Sequence, residues 1–229
     1  AHMTPAMQQL LCDIDDGQKV ILSKLKTVVF GGDLLRSRNV QTLRKLAPNV
    51  TCFNSYGATE TPQIVSLREV NEKPLQASKA LSISSSGDNS YLFILRDERY
   101  QGGISEVGEI IIRTPWLAIG YLNDLPQTER VFVANPLTGD ESDRCYRTGD
   151  LGRIQPDGNI EFLGRQDLQV KLRGFRIEPA EIEQALVAIE GVKSAVVRLR
   201  KLNSETIGLV GWIVPAGEET LNTQTIRAQ

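Results

Sequence analysis

CYRTGDLGRIQPDGNIEFLGRQDLQVKLRGFRIEPAEIE, residues 145–183, decides how the chain is read. The span mixes glycines, fixed charges and alternating apolar residues, and contains no histidine. NIEFLG (159–164) has the length and composition of a short strand between glycine, proline and aspartate turns. Residues 168–177 alternate and predict a further β ribbon. Pro179 opens a helix in which Ile182, Ala185, Leu186 and Ile189 share a face, and Gly191 ends it. YRTGDL (146–151) places Asp150 just after a tight glycine turn. Asp150, Arg165, Asp167 and Lys171 are thereby concentrated in one stretch of chain.

Upstream, KTVVFG (26–31) suits a strand buried on both faces. LLRSRNVQTLRKLAPNV (34–50) sets Val40, Leu43 and Leu46 at helical spacing, and Pro48 closes that helix. VTCFNSYG (50–57) is a second strand running into a glycine turn. Strand, helix, strand at this spacing is a βαβ unit, hence parallel and right-handed. Ligands in such sheets collect beyond the carboxyl ends of the strands, which puts GGD (31–33) and SYGATET (55–61) on one rim. From about residue 80 the pattern changes. SISSSGDNS (82–90) is a polar loop, and YLFILR (91–96) and EVGEIIIR (106–113) join NIEFLG in a small antiparallel sheet or distorted barrel. Downstream, VKSAVVRLR (192–200) and IGLVGWIV (207–214) are two strands opening a small α+β domain, with a further helix in LNTQTIRAQ (221–229).

Composition narrows the chemistry. The 229 residues suffice for one large or two small domains. A net charge of −2, from 26 basic and 28 acidic residues, leaves no footprint for nucleic acid or an anionic membrane surface. No apolar run reaches the ~18 residues of a membrane span. AHMTPAMQQL lacks the basic and apolar regions of a signal peptide, so the cytoplasm is the expected compartment. AHM reads as a cloning scar, which makes Met3 or Thr4 the expected first natural residue. The one histidine, His2, falls inside it, so catalysis by imidazole is not expected. Cys12, Cys52 and Cys145 form no CxxC pair, which argues against a zinc site or a disulfide framework.

Four blocks carry a resemblance: NSYGATET (54–61), GEIIIRTPWLAIGYL (108–122), YRTGDL (146–151) and GRQDLQVKLRGFRIEPAEIE (164–183). Together they resemble the adenylation domains of nonribosomal peptide synthetases, within the adenylate-forming, AMP-binding superfamily of acyl-CoA ligases and luciferases. The resemblance implies a mixed α/β and β fold covering part of such an enzyme. Residues 4–80 would end the large N-terminal subdomain, as a βαβ remnant with the nucleotide and substrate rim. Residues 81–166 would form a β-barrel-like subdomain, and 167–229 the start of a mobile α+β C-terminal subdomain hinged near Asp167.

The implied reaction is attack of a carboxylate on the α-phosphate of ATP with loss of pyrophosphate. Charge builds on phosphate oxygens, so cations, donors and Mg²⁺ are required. By resemblance, Tyr56 offers an aromatic face to the purine, and Ser55, Gly57 and Ala58 line its edge, with Gly31 and Gly32 on the same rim. Thr59 donates to a phosphate oxygen, Glu60 is a hard ligand for Mg²⁺, Asp150 accepts both ribose hydroxyls and Arg165 is the second ribose contact. Lys171, Arg173 and Gly174 would swing about the hinge. Val29, Gly31, Ser55, Gln63 and Ile64 would wall a moderately roomy, mostly apolar acid pocket.

The acyl group would pass to the phosphopantetheine thiol of a peptidyl carrier protein, beside neighbouring synthetase domains. The substrate class is a small amino or related carboxylic acid. The family's Ser/Thr/Gly-rich phosphate loop is expected before residue 1 and its catalytic lysine beyond residue 229, so none of these residues is expected to be catalytic and the piece alone is expected to be inactive. Two other readings stay open: a non-catalytic adenylation-like scaffold, and part of a free-standing acyl-CoA ligase.

Overall fold

A computed structural model describes residues 1–13, 21–71, 80–87, 89–166, 169–172, 175–202 and 207–217. The chain divides into two units, Ala1–Gln166 and Asp167–Gln229. The first begins with β1 (His2–Met3), α1 (Pro5–Asp13), β2 (Thr27–Phe30), α2 (Ser37–Leu46), β3 (Thr51–Tyr56) and β4 (Ser66–Glu69). β1, β2 and β3 run parallel, and β4 is antiparallel to β3. Val28, Phe30 and Cys52 are fully buried, in one cluster with Val40 and Leu43 of α2. That is the βαβ unit expected from the apolar run and the helical spacing. α2 stops where Pro48 pushes the preceding residue out of the helical region: Ala47 has φ −130° and ψ 78°.

The first three residues are part of the sheet. The Val29 N–H donates to the Ala1 carbonyl at 2.9 Å, and the Gly31 N–H to the Met3 carbonyl at 3.2 Å. AHM, read from the sequence as a scar, thus takes a place in the sheet. Without β1, these two donors on β2 would lose their partners.

A second, antiparallel sheet follows. It contains β5 (Ser86–Gly87), β6 (Ser90–Asp97), β7 (Tyr100–Gln101), β8 (Val107–Arg113), β9 (Phe132–Ala134), β10 (Arg144–Ile154) and β11 (Ile160–Arg165), with α3 (Leu125–Val131) leading into β9. The order is β11-β10-β8-β6-β5, with β7 on β6 and β9 on β10. Ile83, just ahead of β5, exchanges two 2.9 Å backbone hydrogen bonds with Ile160, the first residue of β11. The sheet therefore curls until its two ends meet at one bridge. Ile110 and Ile112 point to one face with Ile94 and Ile160, while Ile111 points to the other with Phe93, Leu95 and Cys145. An unbroken III run fits a strand covered on both sides.

The two parts read separately from the sequence, 4–80 and 81–166, lie in one unit. Side chains stitch them. The Asn54 amide donates to the carbonyls of Leu81 and Ser82 at 3.1 and 3.0 Å, and the Ser66 hydroxyl to that of Ser84 at 2.8 Å. A Cβ at residue 87 would stand 2.2 Å from the Val65 carbonyl oxygen, so the approach there requires Gly87.

The second unit has the hairpin β12 (Val170–Leu172)–β13 (Phe175–Ile177), then α4 (Pro179–Val187) and the hairpin β14 (Val192–Lys201)–β15 (Ile207–Pro215). Pro179 opens α4, where its missing N–H costs nothing. The Glu183 carboxylate accepts from the Val197 N–H at 2.8 Å and from Arg198 at 2.7 Å. The helix expected at 221–229 lies outside the described residues. Among the described residues no helix is long and apolar enough to cross a membrane.

Candidate functional site

Three sequence-distant side chains meet where the two sheets of the first unit adjoin. Tyr56 ends β3, at the carboxyl end of the parallel strands. Asp150 lies in β10, and Arg165, the last residue of β11, is its register partner. The Tyr56 hydroxyl donates to Asp150 Oδ2 at 2.6 Å, and Arg165 Nη1 donates to Asp150 Oδ1 at 2.7 Å. Arg165 Nη1 also donates to the Thr148 carbonyl at 2.9 Å. Tyr56 and Asp150 are 8% and 4% exposed, so this is a buried, charge-assisted network. Burial, then the Asp150 charge and its hydrogen bond, push the Tyr56 phenol well above its ordinary pKa. The hydroxyl therefore stays a donor. The ring packs with Val65, Ile83, Ile94 and Ile110, which leaves little of its face exposed.

Asp150 does not follow a tight turn, as YRTGDL suggested. Residues 144–154 are one strand with an irregularity: Arg147 pairs with Ile111 and Leu151 with Glu109, so Thr148, Gly149 and Asp150 face Ile110 alone. The protrusion is a β-bulge, and Gly149 takes the positive φ of 70° that it requires. The Thr148 hydroxyl donates to the Ile110 carbonyl at 2.6 Å and accepts from the Asp150 N–H at 2.9 Å. A glycine beside alternating residues looks alike in a turn and in a bulge; the partner strand decides.

The 57–64 segment folds back on itself. A Cβ at residue 57 would lie 2.4 Å from the Gln63 carbonyl oxygen, so Gly57 permits the return. The Thr61 hydroxyl accepts from the Ala58 N–H at 3.2 Å. Thr59 is exposed. Glu60 is buried, and its Oε1 accepts from the Tyr121 hydroxyl at 2.5 Å. Tyr121 in turn packs on Phe132, centroid to centroid 5.8 Å. Sequence reasoning missed Tyr121, although it belongs to the quoted block ending IGYL.

The Val29, Gly31 and Ser55 positions gather at the ends of β2 and β3. The Ser55 hydroxyl donates to the Phe30 carbonyl at 2.7 Å. A Cβ at residue 31 would lie 2.6 Å from Ser55 Oγ and 3.1 Å from His2 Nε2. Room at Gly31 is thus already taken, and the His2 imidazole stands on this rim. Gly32, with φ 78°, is exposed, as are Gln63 and Ile64. Asp167, Arg173 and Gly174 lie outside the described residues, as does the side chain of Lys171.

Comparison with known proteins follows the same lines. The AMP-binding enzyme family matches residues 1–122. Gramicidin S synthase 2 of Brevibacillus brevis is 35% identical over 216 residues, covering 93% of this chain and 5% of the synthase. A plipastatin synthase of Bacillus subtilis (strain 168) is 40% identical over 206 residues, covering 89% of this chain and 6% of that polypeptide. The chain thus spans about one-twentieth of the length of these relatives. Among solved structures, an NRPS protein containing adenylation and PCP domains, bound to a vinylsulfonamide inhibitor, aligns with TM-score 0.83 and 26% identity. The alignment covers 99% of this chain and 38% of that one.

Proposed function

The chain belongs to the AMP-binding enzyme family, as part of an adenylation domain of the nonribosomal peptide synthetase type, and from that premise we propose that it holds the nucleoside while an amino or related carboxylic acid is activated as its acyl adenylate. The observation that carries this reading is the Asp150 carboxylate. An ionised carboxylate has about four acceptor positions. Tyr56 and Arg165 use one on each oxygen, which leaves one on each for the two neighbouring hydroxyls of a ribose. Both partners are themselves largely buried, so the carboxylate is pre-aimed before a nucleotide arrives.

Purine binding falls to the edge formed by Ser55, Gly57 and Ala58 with Gly31 and Gly32; Tyr56 contributes the support of Asp150 more than an open stacking face. Glu60 suits Mg²⁺, which prefers one or two carboxylate oxygens together with substrate phosphates. Tyr121 holds that carboxylate from one side. When bound, the metal would offset charge on the phosphate oxygens, and Thr59 would donate to one of them. The acid side of the rim is built from Val29, Gly31 and Ser55 with His2 beside them, and Gln63 and Ile64 on the returning segment. In the whole protein the acyl group passes to the phosphopantetheine thiol of a carrier protein, with a swivel near Asp167 bringing the second unit round. Taken alone, the 229 residues bind AMP weakly and give no turnover.

The test is a titration of the ¹⁵N-labelled chain with AMP, beside Asp150→Asn, which keeps the shape but turns an acceptor oxygen into a donor. The variant should bind at least about tenfold more weakly, the loss of one charge-assisted contact. Equal affinity of the two chains ends the proposal.

A further inference from the structure

Glu60, Glu109 and Asp150 are the buried acidic residues among the described residues, and the reading above uses only two of them. Glu109 stands on β8, at the step where β10 leaves register to form the bulge carrying Asp150. Its Oε1 accepts from the Gly149 N–H at 2.9 Å. Its Oε2 accepts from Arg147 Nε and Nη2 at 2.9 and 2.8 Å. The positive φ of Gly149 accompanies the break in the ladder, and the freed N–H would be costly to bury without an acceptor. Glu109 supplies that acceptor from the neighbouring strand, one residue before Asp150.

We propose that Glu109 is a positioning residue for nucleotide binding. Its carboxylate holds the Gly149 N–H, and through it the bulge that sets Asp150 between Tyr56 and Arg165. This rests on the reading of Asp150 as the ribose acceptor. The alternative role for Glu109 is charge balance for Arg147, and side-chain length separates the two. Glu109→Asp keeps the charge but draws the carboxylate back by about 1.5 Å, one C–C bond. Glu109→Gln loses the charge but keeps an acceptor oxygen at the original reach.

The experiment titrates AMP into the ¹⁵N-labelled 229-residue chain and follows the Gly149 amide resonance. Positioning predicts that Glu109→Gln binds AMP within about threefold of the unchanged chain and keeps the Gly149 amide proton downfield. Glu109→Asp should move that proton upfield and weaken AMP at least about tenfold, as expected for a charged hydrogen bond lost. Glu109→Asp with unchanged affinity, or Glu109→Gln as weak as Glu109→Asp, overturns the proposal. If Glu109→Asp does not fold, Arg147→Met decides. It removes the ion pair and leaves the Gly149 contact, so affinity within about threefold supports positioning and a tenfold loss overturns it. Asp150→Asn run in parallel separates the two levels. Undiminished binding by that variant overturns the ribose reading and this inference together. Weak binding by it, with Glu109→Asp unaffected, overturns this inference alone.

Discussion

Tyr56→Phe removes one oxygen atom and leaves the ring in its pocket. The lost bond to Asp150 is 2.6 Å long, within the range of charge-assisted O–H···O⁻ contacts, and both ends are buried. A hydrogen bond to a charged group contributes about 1.5–3 kcal/mol, and some of the loss returns because no phenol hydroxyl is then desolvated. The expected cost is about 2 kcal/mol, or a Tm lower by about 4–8 °C for a unit of this size. Trp116 and Trp212 are the chain's two tryptophans, one in each unit. In a Trp212→Phe background, Trp116 fluorescence therefore follows melting of the first unit. Asp150→Asn alone should cost more, because Arg165 then loses its charge partner at 2.7 Å. Combining the two changes closes a double-mutant cycle whose coupling should be about 2 kcal/mol. A coupling below about 0.5 kcal/mol, the level of additivity between independent sites, would refute the claim that these side chains act as one buried unit.

Gly31→Ala should destabilise the first unit by about 1–3 kcal/mol, because the new methyl meets Ser55 Oγ at 2.6 Å. Adding Ser55→Ala should recover part of that loss in the same melting assay; no recovery would mean the clash lies elsewhere. At pH 8 a thiol reagent should label Cys12 in the native chain, while the fully buried Cys52 and Cys145 react only on unfolding. Burial raises both buried thiols, Cys145 from 9.0 to about 12. A folded-state pKa above the unfolded one stabilises the fold fully below pH 9 and progressively less as pH rises through 12. Tyr56 acts in the same sense above pH 10, so the urea midpoint should fall between pH 8 and pH 11 and Cys145→Ala should flatten that fall.

Local pattern carried much of the fold. The strands at 26–31, 91–96, 106–113 and 159–164, the helix ending before Pro48 and the helix opening at Pro179 are each legible because burial on one or two faces imposes a period of 3.6 or 2 on the residues themselves. The four motif blocks likewise named Tyr56, Asp150 and Arg165 without any coordinates. What the sequence left open depends on partners far along the chain. Tyr56 meets Asp150 across 94 positions, and Tyr121 meets Glu60 across 61. A glycine step in YRTGDL becomes a bulge only because β8 runs beside it and Glu109 receives the displaced N–H. AHM has no strand signal of its own and forms one only because β2 offers it an open edge. The residue pattern along the chain sets the elements, since neighbours in sequence share one local geometry. The aim of each polar side chain was decided by tertiary structure, because a buried donor or acceptor takes whichever distant partner satisfies it.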